Sequence, residues 1–148
     1  MPASRLADIL SKAGVACEPS DEALGAVVRL EAARITDALA ALLSDGFGFL
    51  VDLFATDTGE AIELTYHVRS LKRLEDAYLK TTVTYDGEAP SVWRVYPAAL
   101  YAEREAAELF GMAFPGHPNP KRLLTVEGTE PLLRKSIAIR EAGEVRLS

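Results

Sequence analysis

Residues 47–69 read FGFLVDLFATDTGEAIELTYHVR, and the architecture of the chain turns on them. Residues 47–54 are almost continuously apolar, with aromatic and β-branched character. That composition suits a strand buried on both faces, so a central place in a sheet is expected, although a run this short is also compatible with helix. Asp57, Thr58, Gly59 and Glu60 follow as a turn. Beyond it Ile62, Leu64, Tyr66 and Val68 alternate with Glu63, Thr65, His67 and Arg69, the period of a strand with one dry and one wet face. The segment is a β-hairpin.

Downstream, residues 70–76 read as a charged loop, and residues 78–85, rich in Thr, Val and Tyr, as a further strand closed by Asp86 and Gly87. Upstream, residues 22–30 alternate as a strand with Leu24, Ala26, Val28 and Leu30 on one face. Ile35, Leu39, Leu42 and Leu43 then fall at helical spacing up to the stop Ser44, Asp45, Gly46. Ser4, ahead of Leu6, Ile9 and Leu10, caps a short amphipathic helix. The fold class is therefore α+β, a mixed or antiparallel four-stranded sheet flanked by helices. After an irregular passage from Pro90 to Tyr96, Pro97 suits the first position of a helix that runs to Phe110 and stops at Gly111. Pro115, Pro118, Pro120 and Pro131, with Gly116 and Gly128, then break regular structure. The expected organisation is an α+β domain over residues 1–112 and an extended partner-binding arm over residues 113–148.

With 148 residues, 49% of them hydrophobic, the chain can bury a core without metals or disulfides. A net charge of −6 argues against general affinity for nucleic acid or anionic lipid, which rests on clustered Lys and Arg. Basic residues do gather late, at Lys121, Arg122, Arg134 and Lys135. The single cysteine, Cys17, cannot form an internal disulfide and reads as a small inert hydrophobe, which fits a cytosolic or matrix-like compartment. The N-terminus lacks the pattern of a secretory signal, and no apolar run approaches the roughly 18 to 20 residues that cross a bilayer. Membrane contact is expected only through partners.

At 100° per residue, the helix over residues 97–110 gathers Ala99, Leu100, Ala102, Ala106, Ala107, Leu109 and Phe110 on one arc, with Tyr101, Arg104, Glu105 and Glu108 opposite. Glu103 points into the apolar arc, where an unpaired carboxylate is costly. It must neutralise or meet a cation, such as Arg122, Arg134 or a partner's arginine, unless the helix turns to leave it at a wet rim. His67 and His117 lack the spacing of a metal site, and there is no phosphate-binding loop or nucleophile elbow. No catalytic, cofactor-binding or metal residue is assigned.

Residues 101–118, YAEREAAELFGMAFPGHP, followed by KRLL at 121–124 and PLLRK at 131–135, resemble the signature of the thirty-kilodalton subunit family of respiratory complex I. That family includes the equivalent subunits of membrane-bound energy-converting hydrogenases. LTYHVRS at 64–70 and PSVWRVYPAA at 90–99 resemble the segments that precede the signature, so the likeness spans roughly residues 47–136. The resemblance implies a hydrophilic, cofactor-free subunit of a membrane-associated redox complex, peripheral at the cytoplasmic face of a bacterial or archaeal membrane. It would dock on the large subunit related to the catalytic subunit of nickel–iron hydrogenases, beside iron–sulfur subunits. Iron–sulfur clusters, with a nickel–iron centre or quinone, would belong to those partners. Where complex I members carry a Trp-containing stretch and a Leu-Arg-Lys-Asp-Tyr ending, this chain has TVEGTEPLLRKS at 125–136. That departure and the short length point to the hydrogenase-type or otherwise reduced complexes.

The residues expected at the partner interface are Glu103, Arg104, Glu105, Phe110, Gly111, Phe114, His117, Pro118, Arg122, Leu123, Leu124, Arg134 and Lys135. Two other readings remain open from the residues alone: a small acid–base enzyme using Glu103, Glu105 and His117, and a freestanding adaptor with no redox partner.

Overall fold

The computed structural model describes residues 1–119. Among them, five strands form one sheet in the order β1 (Glu18–Glu22), β2 (Gly25–Arg29), β5 (Glu75–Val83), β4 (Ile62–Ser70) and β3 (Phe49–Asp57). β2 and β5 run parallel and the other neighbours antiparallel. Helices α1 (Ala3–Lys12), α2 (Ile35–Ser44) and α3 (Ala99–Phe110) complete the α+β fold.

The alternation in β4 sets the two faces. Ile62, Leu64, Tyr66 and Val68 are buried and lie opposite Val83, Thr81, Leu79 and Ala77 of β5. Val28 of β2 and Leu53 of β3 continue this face, and Leu6, Leu10, Ile35, Leu39 and Leu42 from the helices join the same core. Burying a leucine of this kind is worth about 2 to 3 kcal/mol. On the other face Arg29 pairs with Glu63 at 2.8 Å, and His67 stacks on Tyr78 with its Nε2 2.7 Å from Asp76. His67 thus belongs to a surface polar network.

Four local expectations need correction. The strand expected over 22–30 is a turn followed by β2: Glu22 pairs with Gly25 across it, and Leu24 is 43% exposed. Its partner β1 reads Glu-Pro-Ser-Asp-Glu, with no apolar residue to announce a strand; proline and charge are what a sheet edge carries. β3 is the opposite edge, not a central strand, and Phe49 and Phe54 are 46% and 40% exposed. The reason is topological: after α2 the chain enters the sheet at the far side, and β4 and β5 fill the space back to β2. The charged loop over 70–76 shrinks to a turn at 71–74, because β4 and β5 stay paired out to Ser70 and Glu75. There Glu75 bonds Arg73 at 2.6 Å and also bonds Arg5. Finally, Ser4 lies inside α1, and Asp21 of β1 accepts the Ala3 N–H at 2.9 Å.

Pro97 sits in the turn that leads into α3, its carbonyl accepting the Leu100 N–H at 3.2 Å. Gly111 ends the helix in the left-handed region, φ 70°, and its N–H bonds the Ala107 carbonyl at 2.9 Å. This is the glycine stop read from the sequence.

Candidate functional site

α3 packs against β3, and the chain beyond Gly111 folds back beside it. On this inner side Glu103 is fully buried, at 0% exposure. Its Oε1 accepts the Ser91 hydroxyl at 2.5 Å and its Oε2 the Val92 N–H at 2.8 Å. The passage from Pro90 to Tyr96, irregular by sequence, is therefore what answers the carboxyl. Burial pushes the Glu103 carboxyl above its ordinary 4.5, while the Ser91 and Val92 bonds and any positive charge on His117 pull the other way. Near it lies the Tyr66 hydroxyl, buried and without a hydrogen-bond partner among the described residues, its pKa raised by burial and by the charge of Glu103.

Residues 87–91 and 113–115 are zipped together: Ala113 N–H to Gly87 O at 3.1 Å, Ala89 N–H to Ala113 O at 3.1 Å, Ser91 N–H to Pro115 O at 2.9 Å. Trp93 Nε1–H adds a bond to the Gly116 carbonyl at 2.9 Å. His117 turns back onto α3. Its Nε2 lies 2.9 Å from the Leu100 carbonyl, and its Nδ1 accepts the Asn119 N–H at 2.9 Å, the pattern of the neutral imidazole with the proton on Nε2. A pocket of about 420 Å³ remains between Glu103, Ala107, Met112, Phe114 and His117.

The outer side of α3 differs. Between it and β3 runs a groove of about 310 Å³ floored by Leu53, Phe54, Ala102, Ala106 and Leu109, with Asp52 and Glu105 lining it as well. Asp52 lies at a bulge in β3 and its Oδ1 accepts the Leu53 N–H at 2.8 Å.

The residues expected at a partner interface separate into groups. Glu103, Phe110 and Phe114 are buried within this chain, the two phenylalanines at 7% exposure each. Gly111 and Arg104 are half-buried, as is His117, while Glu105 and Pro118 are exposed. Arg122, Leu123, Leu124, Arg134 and Lys135 lie outside the described residues, as does most of the expected arm over 113–148. The part of that arm which is described, residues 113–119, is bonded to the domain body. Glu108, expected on the wet arc, is instead buried, at 6% exposure. Phe49, Val51 and Phe54 were absent from the expected site; the one available signal was their aromatic and β-branched run, which instead suggested burial.

Among the described residues no group of three or more His, Cys, Asp or Glu could hold a metal ion, and no helix is long and apolar enough to cross a membrane.

The family model described as respiratory-chain NADH dehydrogenase, 30 Kd subunit, matches residues 28–142. The C subunit of the NADH-quinone oxidoreductase of Moorella thermoacetica is 37% identical over 109 residues, covering 72% of this chain and 66% of that protein. Its counterpart in Caulobacter vibrioides is 36% identical over 122 residues, covering 78% of this chain and 62% of that protein. The chain thus spans less than two thirds of the length of these curated relatives. Among solved structures, a chain of the membrane-bound sulfane sulfur reductase, an archaeal respiratory membrane complex, superposes with a TM-score of 0.75 at 27% identity. That superposition covers 91% of this chain and 84% of that one.

Proposed function

The chain belongs to the respiratory-chain NADH dehydrogenase 30 Kd subunit family, and from that membership we propose that it is a non-catalytic docking subunit of a respiratory membrane complex. In this reading it holds no cofactor of its own and binds the large subunit that resembles the catalytic subunit of nickel–iron hydrogenases. Iron–sulfur subunits lie alongside. Electron carriers, whether iron–sulfur clusters, a nickel–iron centre or quinone, belong to those partners, and the chain meets the cytoplasmic face of the membrane only through them. The relatives include C subunits of NADH-quinone oxidoreductases and a chain of a membrane-bound sulfane sulfur reductase.

One observation carries this choice over a small enzyme: the three groups that could act as acid and base do not meet as a free set. Glu103 and His117 border one pocket, but Glu103 is bonded to Ser91 and Val92 and His117 spends both ring nitrogens on the backbone, while Glu105 lines a different groove. General acid–base catalysis needs such groups within hydrogen-bond reach of one substrate atom. What α3 and its neighbours supply is instead a rigid body with an exposed flank.

The test is recovery of the native complex through a tag on this chain, with mass spectrometry of what comes with it. The docking role predicts stoichiometric large and iron–sulfur subunits. Turnover by the purified chain alone, or its recovery with no other subunit, would overturn it.

A further inference from the structure

Resting on that docking role, we propose that the free edge of β3 and the groove between β3 and α3 receive an extended, basic segment of a neighbouring subunit, which joins the sheet as a strand beside β3. β3 is nine residues long, and among the described residues no strand pairs with its outer side. An open edge of this length is a row of unsatisfied backbone donors and acceptors, and it templates pairing unless proline, charge or a covering element blocks it. The β1 edge carries such a block in Glu18, Pro19, Asp21 and Glu22. β3 has no proline and no lysine; its charges are Asp52, at the bulge after Leu50, and the buried Asp57, and it presents Phe49, Val51 and Phe54 at 46%, 37% and 40% exposure.

The groove specifies the occupant. Its floor is apolar, from Leu53, Phe54, Ala102, Ala106 and Leu109, while its two charged lining residues are both acidic, Asp52 and Glu105. Glu105 has no ion pair among the described residues, and Asp52 spends one oxygen on the Leu53 N–H. A strand that places apolar side chains inward and Lys or Arg beside these carboxylates satisfies the edge, the floor and the charge together. A second copy of this chain fits worse. Two β3 edges paired with each other would bring one Asp52 and Glu105 pair towards another, in a chain whose net charge is already −6.

The experiment places the photoreactive residue benzoylphenylalanine at Phe54 in the tagged full-length chain, and at Leu71 as a control in the exposed β4–β5 turn. The complex is irradiated as purified, and the crosslinked peptides are sequenced. The expected product joins Phe54 to a Lys- or Arg-containing, alternately apolar segment of another subunit. Asp52→Lys combined with Glu105→Lys should lower its yield about tenfold at low salt. A Phe54 product with residues 120–148 of the same chain or with a second copy, or none while other subunits are recovered, overturns this inference and leaves the docking role standing. Recovery of the chain with no other subunit overturns both.

Discussion

The two sides of α3 carry the same kind of side chain to opposite ends. On the inner side Glu103 is wholly buried and holds the segment at Ser91 and Val92 against the helix. On the outer side Glu105, two residues on, is exposed beside an apolar groove. A buried carboxyl with its hydrogen bonds made is an internal fastening. An exposed one flanking unfilled apolar surface adds nothing to the fold, and its worth lies in what it attracts. The contrast separates residues that keep the chain folded from residues that engage a partner, and substitutions on the two sides should part accordingly.

The largest expected effect is on the inner side. Glu103→Ala removes the acceptor for the Val92 N–H and the Ser91 hydroxyl and leaves a cavity, a loss of about 3 kcal/mol in unfolding free energy by chemical denaturation. Glu103→Gln keeps an amide oxygen for one of those donors and should cost about 1 kcal/mol or less. If the two variants lose equally, the carboxyl is a fixed charge whose cation partner matters more than its hydrogen bonds.

A pH series sharpens the same point. Because burial raises the Glu103 pKa in the folded chain above 4.5, the native state keeps a proton that the unfolded state has released. The stability gained this way is complete below the unfolded pKa and is lost as pH rises from there through the folded pKa. The difference in stability between wild type and Glu103→Gln should therefore drift against wild type over that window and level off above it. A flat difference would mean that Glu103 does not titrate differently in the two states.

The smallest effect on folding belongs to the outer side. Glu105→Lys should change unfolding free energy by no more than about 0.5 kcal/mol, as surface substitutions do. Its consequence should emerge in assembly instead, as weaker recovery of other subunits at low salt. A large loss of stability from Glu105→Lys would erase the distinction between the two sides.

Much of this was legible in the chain because period and turn chemistry are local. The β3–β4 hairpin, the α2 stop at Gly46 and the α3 stop at Gly111 follow from neighbouring residues. So does the inward direction of Glu103, since 100° per residue places it without knowledge of the fold. What answers Glu103 was not legible: Ser91 and Val92 are eleven or more positions away, in a segment without a regular pattern. The edge position of β3 was hidden for a related reason. A run such as residues 47–54 reports how apolar a strand is, whereas its neighbours depend on the path of α2 across the sheet. There the apolar excess that suggested a central strand marks an edge with exposed Phe49 and Phe54. β1 was missed because a guarded edge is polar by construction.

The most direct test of the division between an outer docking side and an inner fastening side compares two tagged full-length variants, Phe54→Asp on the outer side and Glu103→Gln on the inner side, in the native complex. Phe54→Asp should keep the unfolding midpoint of the wild-type chain and lose most of the co-purified subunits, whereas Glu103→Gln should lower the midpoint slightly and retain them. Full recovery of every subunit with a stably folded Phe54→Asp chain would contradict docking through the β3 edge.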